Sequence, residues 1–196
     1  MIASTLVPVP RITLASSSPR RRELLDQIQV SYEVFPVNID ESYRQGEPPE
    51  QFVKRLALEK AQAAYEKIPD RPALGSDTIV VLGQQILGKP ENRQMAIEML
   101  AMLSGRKHQV MTAVCICSAN FRQCVLSTSE VEFTELNLQQ IEEYWLTGEP
   151  ADKAGAYGIQ GQAAKFIKNI RGSYSGIMGL PLFETAELLK AAGIES

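Results

Sequence analysis

The chain has 196 residues, of which 44% are hydrophobic and 22% charged, and its formal net charge is -3. Such a balance predicts a globular core and excludes a disordered chain. The slight acidity argues against a protein whose whole face neutralises nucleic-acid phosphates, yet a phosphate-bearing ligand could still be held locally.

The first expected element is a short β-prone run, residues 12–15, that ends at three serines and a proline. Leu24, Leu25 and Ile28 then recur at helical spacing over residues 21–29. A second extended run, residues 32–37, leads to an acidic loop at Asp40 and Glu41, and Pro49 opens a helix to about Lys67 with Phe52, Leu56 and Ala63 on its buried stripe. Residues 73–82 read as a buried strand interrupted by Gly75, Ser76, Asp77 and Thr78, with a hairpin at Gly83-Gln84 before Ile86-Leu87. A helix over residues 91–103 stops at Ser104-Gly105, and residues 109–117 and 124–133 read as two long strands joined by a polar turn. Asn137 caps a helix ending near Gly148, residues 166–170 form a short strand, and residues 181–192 form a closing amphipathic helix. Glycine-rich stretches, residues 152–161 and 172–180, separate the last elements. With no repeat and no linker, this alternation predicts one domain of α/β or α+β class around a mixed sheet.

No apolar run approaches the ~20 residues needed to cross a bilayer, and residues 1–11 carry no basic leader, so secretion and membrane insertion are not expected. Cys115, Cys117 and Cys124 cannot all pair, and with the one histidine, His108, they match no common zinc spacing. The expectation is a reduced cytoplasmic protein, with Cys115 and Cys117 packing as small hydrophobes on one strand face. His108 follows Arg106 and Lys107 at a strand entrance, where a surface position is expected.

Chemistry is expected at several places. Ser16-Ser17-Ser18-Pro19-Arg20-Arg21 sits where a strand gives way to a helix N-terminus, so N–H groups, hydroxyls and guanidinium groups could converge on an anion; the alternative is a plain serine cap followed by solvated arginines. Glu41, Lys60, Asp77 and Lys89 are charged where a solvated face is not the easy explanation. Asp77 inside an apolar strand needs a lysine, a metal ion or hydrogen bonds to compensate it, and a structural Asp-Lys pair would also serve. Asp77 with Glu41 would suit a hard divalent cation. In the late loop, Lys153, Tyr157 and Gln160 stand among glycines that permit close approach to a flat ligand, although turn glycines need no ligand.

In combination these segments are specific. In the order Ser16 to Arg21, Leu58-Glu59-Lys60-Ala61, Gly75-Ser76-Asp77-Thr78, Leu87-Gly88-Lys89-Pro90, Asp152 to Gly161, and Gly172-Ser173-Tyr174 through Gly179-Leu180-Pro181-Leu182, the chain closely resembles the Maf family. The match runs from Ile12 to the last helix and leaves residues 1–11 as an N-terminal extension. Ser76 departs from the family's common alanine, a small-for-small exchange.

The resemblance implies a nucleotide pyrophosphatase with a fold similar to inosine-triphosphate pyrophosphatases: an elongated mixed sheet flanked by helices, two lobes and a cleft. It implies a divalent metal, Mg2+ or Mn2+, held by Glu41 and Asp77, an association with septum formation, and homodimerisation. Asp77, Glu41, Lys60 and Lys89 would be catalytic; Ser16, Ser18, Arg20, Arg21, Thr78, Lys153 and Gln160 would bind substrate. Arg20, Thr78 and Gln160 resemble the subgroup that hydrolyses dTTP and UTP. The alternatives are the 7-methyl-GTP subgroup, which differs at those points, and a nucleotide-binding regulator of division without turnover, which should have lost the acidic pair that is present here.

Overall fold

The computed structural model describes residues 11–194, and the expected N-terminal extension lies outside the described residues except for Arg11. Among the described residues a seven-stranded mixed sheet has the order β2-β1-β3-β5-β6-β7, with β4 attached to β3. β1 (Ile12–Leu14), helix α1 (Pro19–Gln27) and β2 (Tyr32–Val34) form a parallel βαβ unit, and β1 also runs parallel to β3 (Ala73–Leu82). The long strands β5 (Lys107–Cys117) and β6 (Arg122–Phe133), then β7 (Ile167–Arg171), extend the sheet antiparallel.

One edge of β3 positions everything that follows. β1 pairs with it only at Ala73 and Leu74, and β4 (Gln85–Leu87) joins at Val80, while β5 occupies the other edge from Ala73 to Val81. Residues 75–79 therefore lie in a gap between two strand ends. The loops leaving those ends, after Leu14 and after Leu87, flank the gap. Ligands collect at such splits because exposed loop backbone and strand side chains converge there.

Helices α2 (Pro49–Lys67), α3 (Arg93–Leu103), α4 (Leu138–Leu146), α5 (Tyr174–Met178) and α6 (Leu182–Ala191) pack around the sheet. α2 starts and ends where the proline and the apolar period place it, and its buried stripe is Phe52, Val53, Leu56, Ala57, Lys60, Ala61 and Ala64. Ala63, expected on that stripe, is half-buried, because one position along a helix rotates a side chain by about 100°. Gly75 explains how closely α2 approaches β3: a Cβ there would stand 2.2 Å from the Ala57 carbonyl oxygen and 2.5 Å from the Ala61 nitrogen. Asn137 caps α4 in a reciprocal capping box with Gln140. α5 and the 3-10 turn Ala154–Ala156 arise in the glycine-rich stretches where periodicity is uninformative, and two further 3-10 turns, Glu149–Asp152 and Gln162–Phe166, flank the first of them.

Two expectations are corrected. His108 is buried, 3% exposed, because β5 turns it inward against Phe133 and Tyr157, whose hydroxyl lies 2.8 Å from Nε2. Desolvation lowers its pKa to about 4. Cys115 is bonded to Cys124, not free: the two face each other directly across β5 and β6, with Cα atoms 4.1 Å apart. Strand pairing thus brings together two cysteines whose linear spacing carries no signal. Cys117 is free and buried.

Candidate active site

Asp77 and Thr78 are adjacent on β3 and so point to opposite sheet faces. On the α2 side, Lys60 Nζ lies 2.7 Å from Asp77 Oδ1 and 2.7 Å from Glu41 Oε1. Asp77 and Lys60 side chains are each 11% exposed, whereas Glu41 is 53% exposed on its loop. Burial alone would raise the Glu41 pKa, but the hydrogen bond from Lys60 and the charges of Lys60, Lys89 and Arg21 hold it below the usual carboxylate value. Two carboxylates around one ammonium leave a net negative triad, which attracts a further cation.

On the other face, Arg21 is a hub. Its Nε donates to the Gly179 carbonyl at 2.9 Å, Nη1 to Ser16 Oγ at 3.0 Å and Nη2 to Thr78 Oγ1 at 3.5 Å. Burial lowers the Arg21 pKa, while Asp77 and Glu41 pull it upward and Arg20 pushes it down. Thr78 Oγ1 also lies 2.9 Å from Thr112 Oγ1. Ser18 holds the N-cap position of α1 without a side-chain cap bond; Ser16 Oγ instead accepts from the Ser18 amide at 3.2 Å. The serine-arginine segment therefore folds around Arg21, and the plain solvated-arginine reading does not hold there.

The glycine-rich loop closes the opposite wall. Gly155 N donates to the Gly88 carbonyl at 3.0 Å, tying it beside Lys89. Arg20 Nη1 stands 3.9 Å from Asp152 Oδ2, and Asp152 also contacts Lys153. All eleven residues expected at the site, namely Ser16, Ser18, Arg20, Arg21, Glu41, Lys60, Asp77, Thr78, Lys89, Lys153 and Gln160, line one cavity of about 800 Å³. Asp152 and an apolar wall of Phe52, Leu56, Ile79 and Ile86 line it too and were not anticipated as site residues. Their one advance signal is that Phe52 and Leu56 share the α2 stripe with Lys60.

The description Maf-like protein fits residues 11–192 of the chain. The chain belongs to the Maf family. Among Maf proteins, one from Pseudoalteromonas atlantica is 53% identical, with 91% of this chain and 95% of that protein covered, and is named dTTP/UTP pyrophosphatase. A relative from Alkalilimnicola ehrlichii with the same name is 52% identical, with 92% of each chain covered. Another from Methylobacillus flagellatus, also so named, is 50% identical over 96% of each. A solved HAM1 protein from Coxiella burnetii aligns with 62% of this Maf chain and 72% of its own at a TM-score of 0.45 and 16% identity, too distant to bear on activity.

No helix among the described residues is long and apolar enough to cross a membrane. Among the described residues no group of three or more His, Cys, Asp or Glu is arranged to hold a metal ion. The carboxylates that line the cleft, Glu41, Asp77, Glu91 and Asp152, are hard oxygen donors, which suit a hard cation that keeps water and phosphate oxygens among its ligands, as Mg2+ does with one or two carboxylates. A softer or fully protein-caged ion would need donors that this cleft does not offer.

Proposed function

We propose that this protein acts in the cytoplasm and hydrolyses dTTP and UTP to the monophosphate and pyrophosphate; the dTTP/UTP pyrophosphatase names of its relatives support the choice of substrate. The observation that carries the reading is the convergence, in one cavity, of four cations, Arg20, Arg21, Lys89 and Lys153, with the Glu41–Lys60–Asp77 triad. Arg21, Lys89 and Lys153 suit a polyphosphate, and the triad suits activation of water beside it.

In the proposed reaction water attacks the α-phosphorus, the bond from that phosphorus to the bridging oxygen breaks, and pyrophosphate leaves with the bond's electron pair. Asp77 takes the proton from the attacking water. Lys60 holds the Asp77 carboxylate in place and offsets part of the negative charge that the two carboxylates bring beside the phosphates. Lys89, Arg21 and Lys153 offset charge on the leaving group, and Ser16 and Ser18 add hydrogen bonds. Glu41 and Asp77 would hold a divalent cation, Mg2+ or Mn2+, which when bound withdraws charge from phosphate oxygens. Arg20, Thr78 and Gln160 select the base. Thymine and uracil present a carbonyl beside a ring N–H, and the Gln160 amide complements that pair, whereas cytosine reverses part of it.

Product analysis with magnesium and with manganese tests the reading. The expected products are nucleoside monophosphate and pyrophosphate, with dTTP and UTP ahead of CTP and purine nucleotides. Nucleoside diphosphate with orthophosphate, or full turnover in excess chelator, would overturn it.

A further inference from the structure

Glu149 follows the last turn of α4 and does not line the cavity, yet its carboxylate organises the loop that does. Oε1 accepts from the Tyr144 hydroxyl at 2.6 Å, and Oε2 accepts from the Gln162 backbone N–H at 2.8 Å. The Tyr144 hydroxyl in turn accepts from the Gly158 amide at 3.2 Å. Gly158 and Gln162 bracket Gln160, so one carboxylate, directly and through one phenol, fixes the backbone on both sides of that side chain. Tyr144 is buried, 1% exposed, and burial together with Glu149 raises its pKa, which keeps the hydroxyl as a donor to the carboxylate.

The glycines of this loop make room for that arrangement. A Cβ on Gly161 would stand 2.2 Å from Glu149 Oε1 and 2.3 Å from Oε2, and one on Gly158 would stand 3.2 Å from Oε1. The carboxylate fills the space that a side chain at 161 would take, and at 158 it shares that role with Lys153, whose Cε would stand 3.0 Å from the added Cβ. Gly161 has φ -105°, which any residue adopts, so its lack of a side chain is a matter of space. The backbone carbonyl of Glu149 also accepts from Lys153 Nζ at 3.2 Å, which draws a second cavity-lining side chain into the same hub.

We propose that Glu149, acting through Tyr144 and the Gln162 backbone N–H, is a positioning residue that sets base selectivity by holding Gln160 in its reading position. The inference rests on the proposed role of Gln160 as the group that reads the pyrimidine edge. Selectivity demands such a support, because an amide discriminates a carbonyl–N–H edge from an amino–N edge only if it cannot swing or shift to suit both. Gln160 itself is exposed at the cavity wall and has few restraints of its own.

Replacing Glu149 by Gln tests this with little change of shape. Two donors converge on the carboxylate, and an amide offers one oxygen and one N–H2 group, so one donor loses its acceptor whichever way the amide turns. Tyr144→Phe removes the same link from its other end by deleting a single hydroxyl, and it serves if Glu149→Gln fails to fold. The experiment measures kcat and KM for UTP, dTTP and CTP in the parent, Glu149→Gln, Tyr144→Phe, Gln160→Ala and the double variant Glu149→Gln/Gln160→Ala, with a thermal melt of each. The expected result is that the UTP-over-CTP ratio of kcat/KM drops about tenfold in each single variant, through KM more than kcat, and that the double variant drops it no further than Gln160→Ala alone. An equal loss on all three substrates in Glu149→Gln and Tyr144→Phe, while Gln160→Ala still compresses the ratio, overturns the inference and leaves the reading of Gln160 intact. A parent enzyme with no preference for UTP over CTP overturns both.

Discussion

Lys60 Nζ is equidistant from Asp77 on β3 and Glu41 on the loop after β2, at 2.7 Å from each. One helix residue thereby joins a buried strand carboxylate to an exposed loop carboxylate. Asp77→Asn keeps the shape but cannot accept a proton, so kcat is expected to fall roughly 10²–10⁴-fold with nucleotide binding retained. Lys60→Ala leaves Asp77 without its cation in a buried place, and is expected to cost on the order of 3 kcal/mol of stability as well as activity. Lys89→Ala should weaken binding and turnover without that stability cost. Steady-state kinetics and urea unfolding separate these outcomes, and parental turnover in Asp77→Asn would make its place structural.

Gly75→Ala tests the contact that brings α2 to β3. The added Cβ would meet backbone atoms of Ala57 and Ala61, which cannot move aside as a flexible side chain could. We expect a loss of about 1–3 kcal/mol from overpacking, and a drop in kcat at temperatures where the variant is still folded, since Lys60 shifts away from Asp77 with its helix. Normal kinetics in a destabilised variant would show that the site tolerates the shift.

His108 predicts an acid limb of stability. Its folded pKa, about 4, lies below the ordinary 6.5. Between these values the unfolded chain binds a proton that the native one excludes, so stability is complete above about pH 6.5 and falls as the pH drops toward 4. The full effect is on the order of 3 kcal/mol. Denaturant unfolding at several pH values should show it, and His108→Gln should flatten this limb. An unchanged limb in the variant would assign it to carboxylates.

The Cys115–Cys124 bond closes a short loop, with nine positions of sequence separation. Cross-linking of this span predicts that, without reductant, Cys124→Ser is less stable than the parent by about 2–3 kcal/mol. In reductant the two should coincide. Thiol counting with and without reductant checks the bond: one free thiol per chain, that of Cys117, is expected without reductant and three with it.

Much of the fold is legible because its long elements are periodic. α2 begins at Pro49 and ends at Lys67 where expected, and β3 spans Ala73–Leu82 as its apolar run implies. The short α5 and the 3-10 turn Ala154–Ala156 are not legible, since glycine-rich sequence states only that unusual backbone is permitted, and the turns Glu149–Asp152 and Gln162–Phe166 are too short to show a period. For the site, polar residues inside an apolar strand marked Asp77 and Thr78, because burying them requires compensation. Glu149 gave no such sign: an acidic residue after a helix is ordinarily solvated, and nothing local reveals that Tyr144 and the Gln162 backbone N–H turn toward it.

The order of motifs along the chain, their residue types and the alternation of strands and helices were determined by the sequence alone, because they depend on local periodicity and on residue chemistry. Tertiary structure decided what meets across the sheet. The end of β1 at Leu14 and the arrival of β4 at Val80 opened the gap on β3, and the missing side chain at Gly75 let Lys60 reach Asp77. Strand register turned His108 inward and set Cys115 opposite Cys124. These are contacts between residues far apart in the chain, and linear spacing carries no information about which face or which partner the final packing assigns to them.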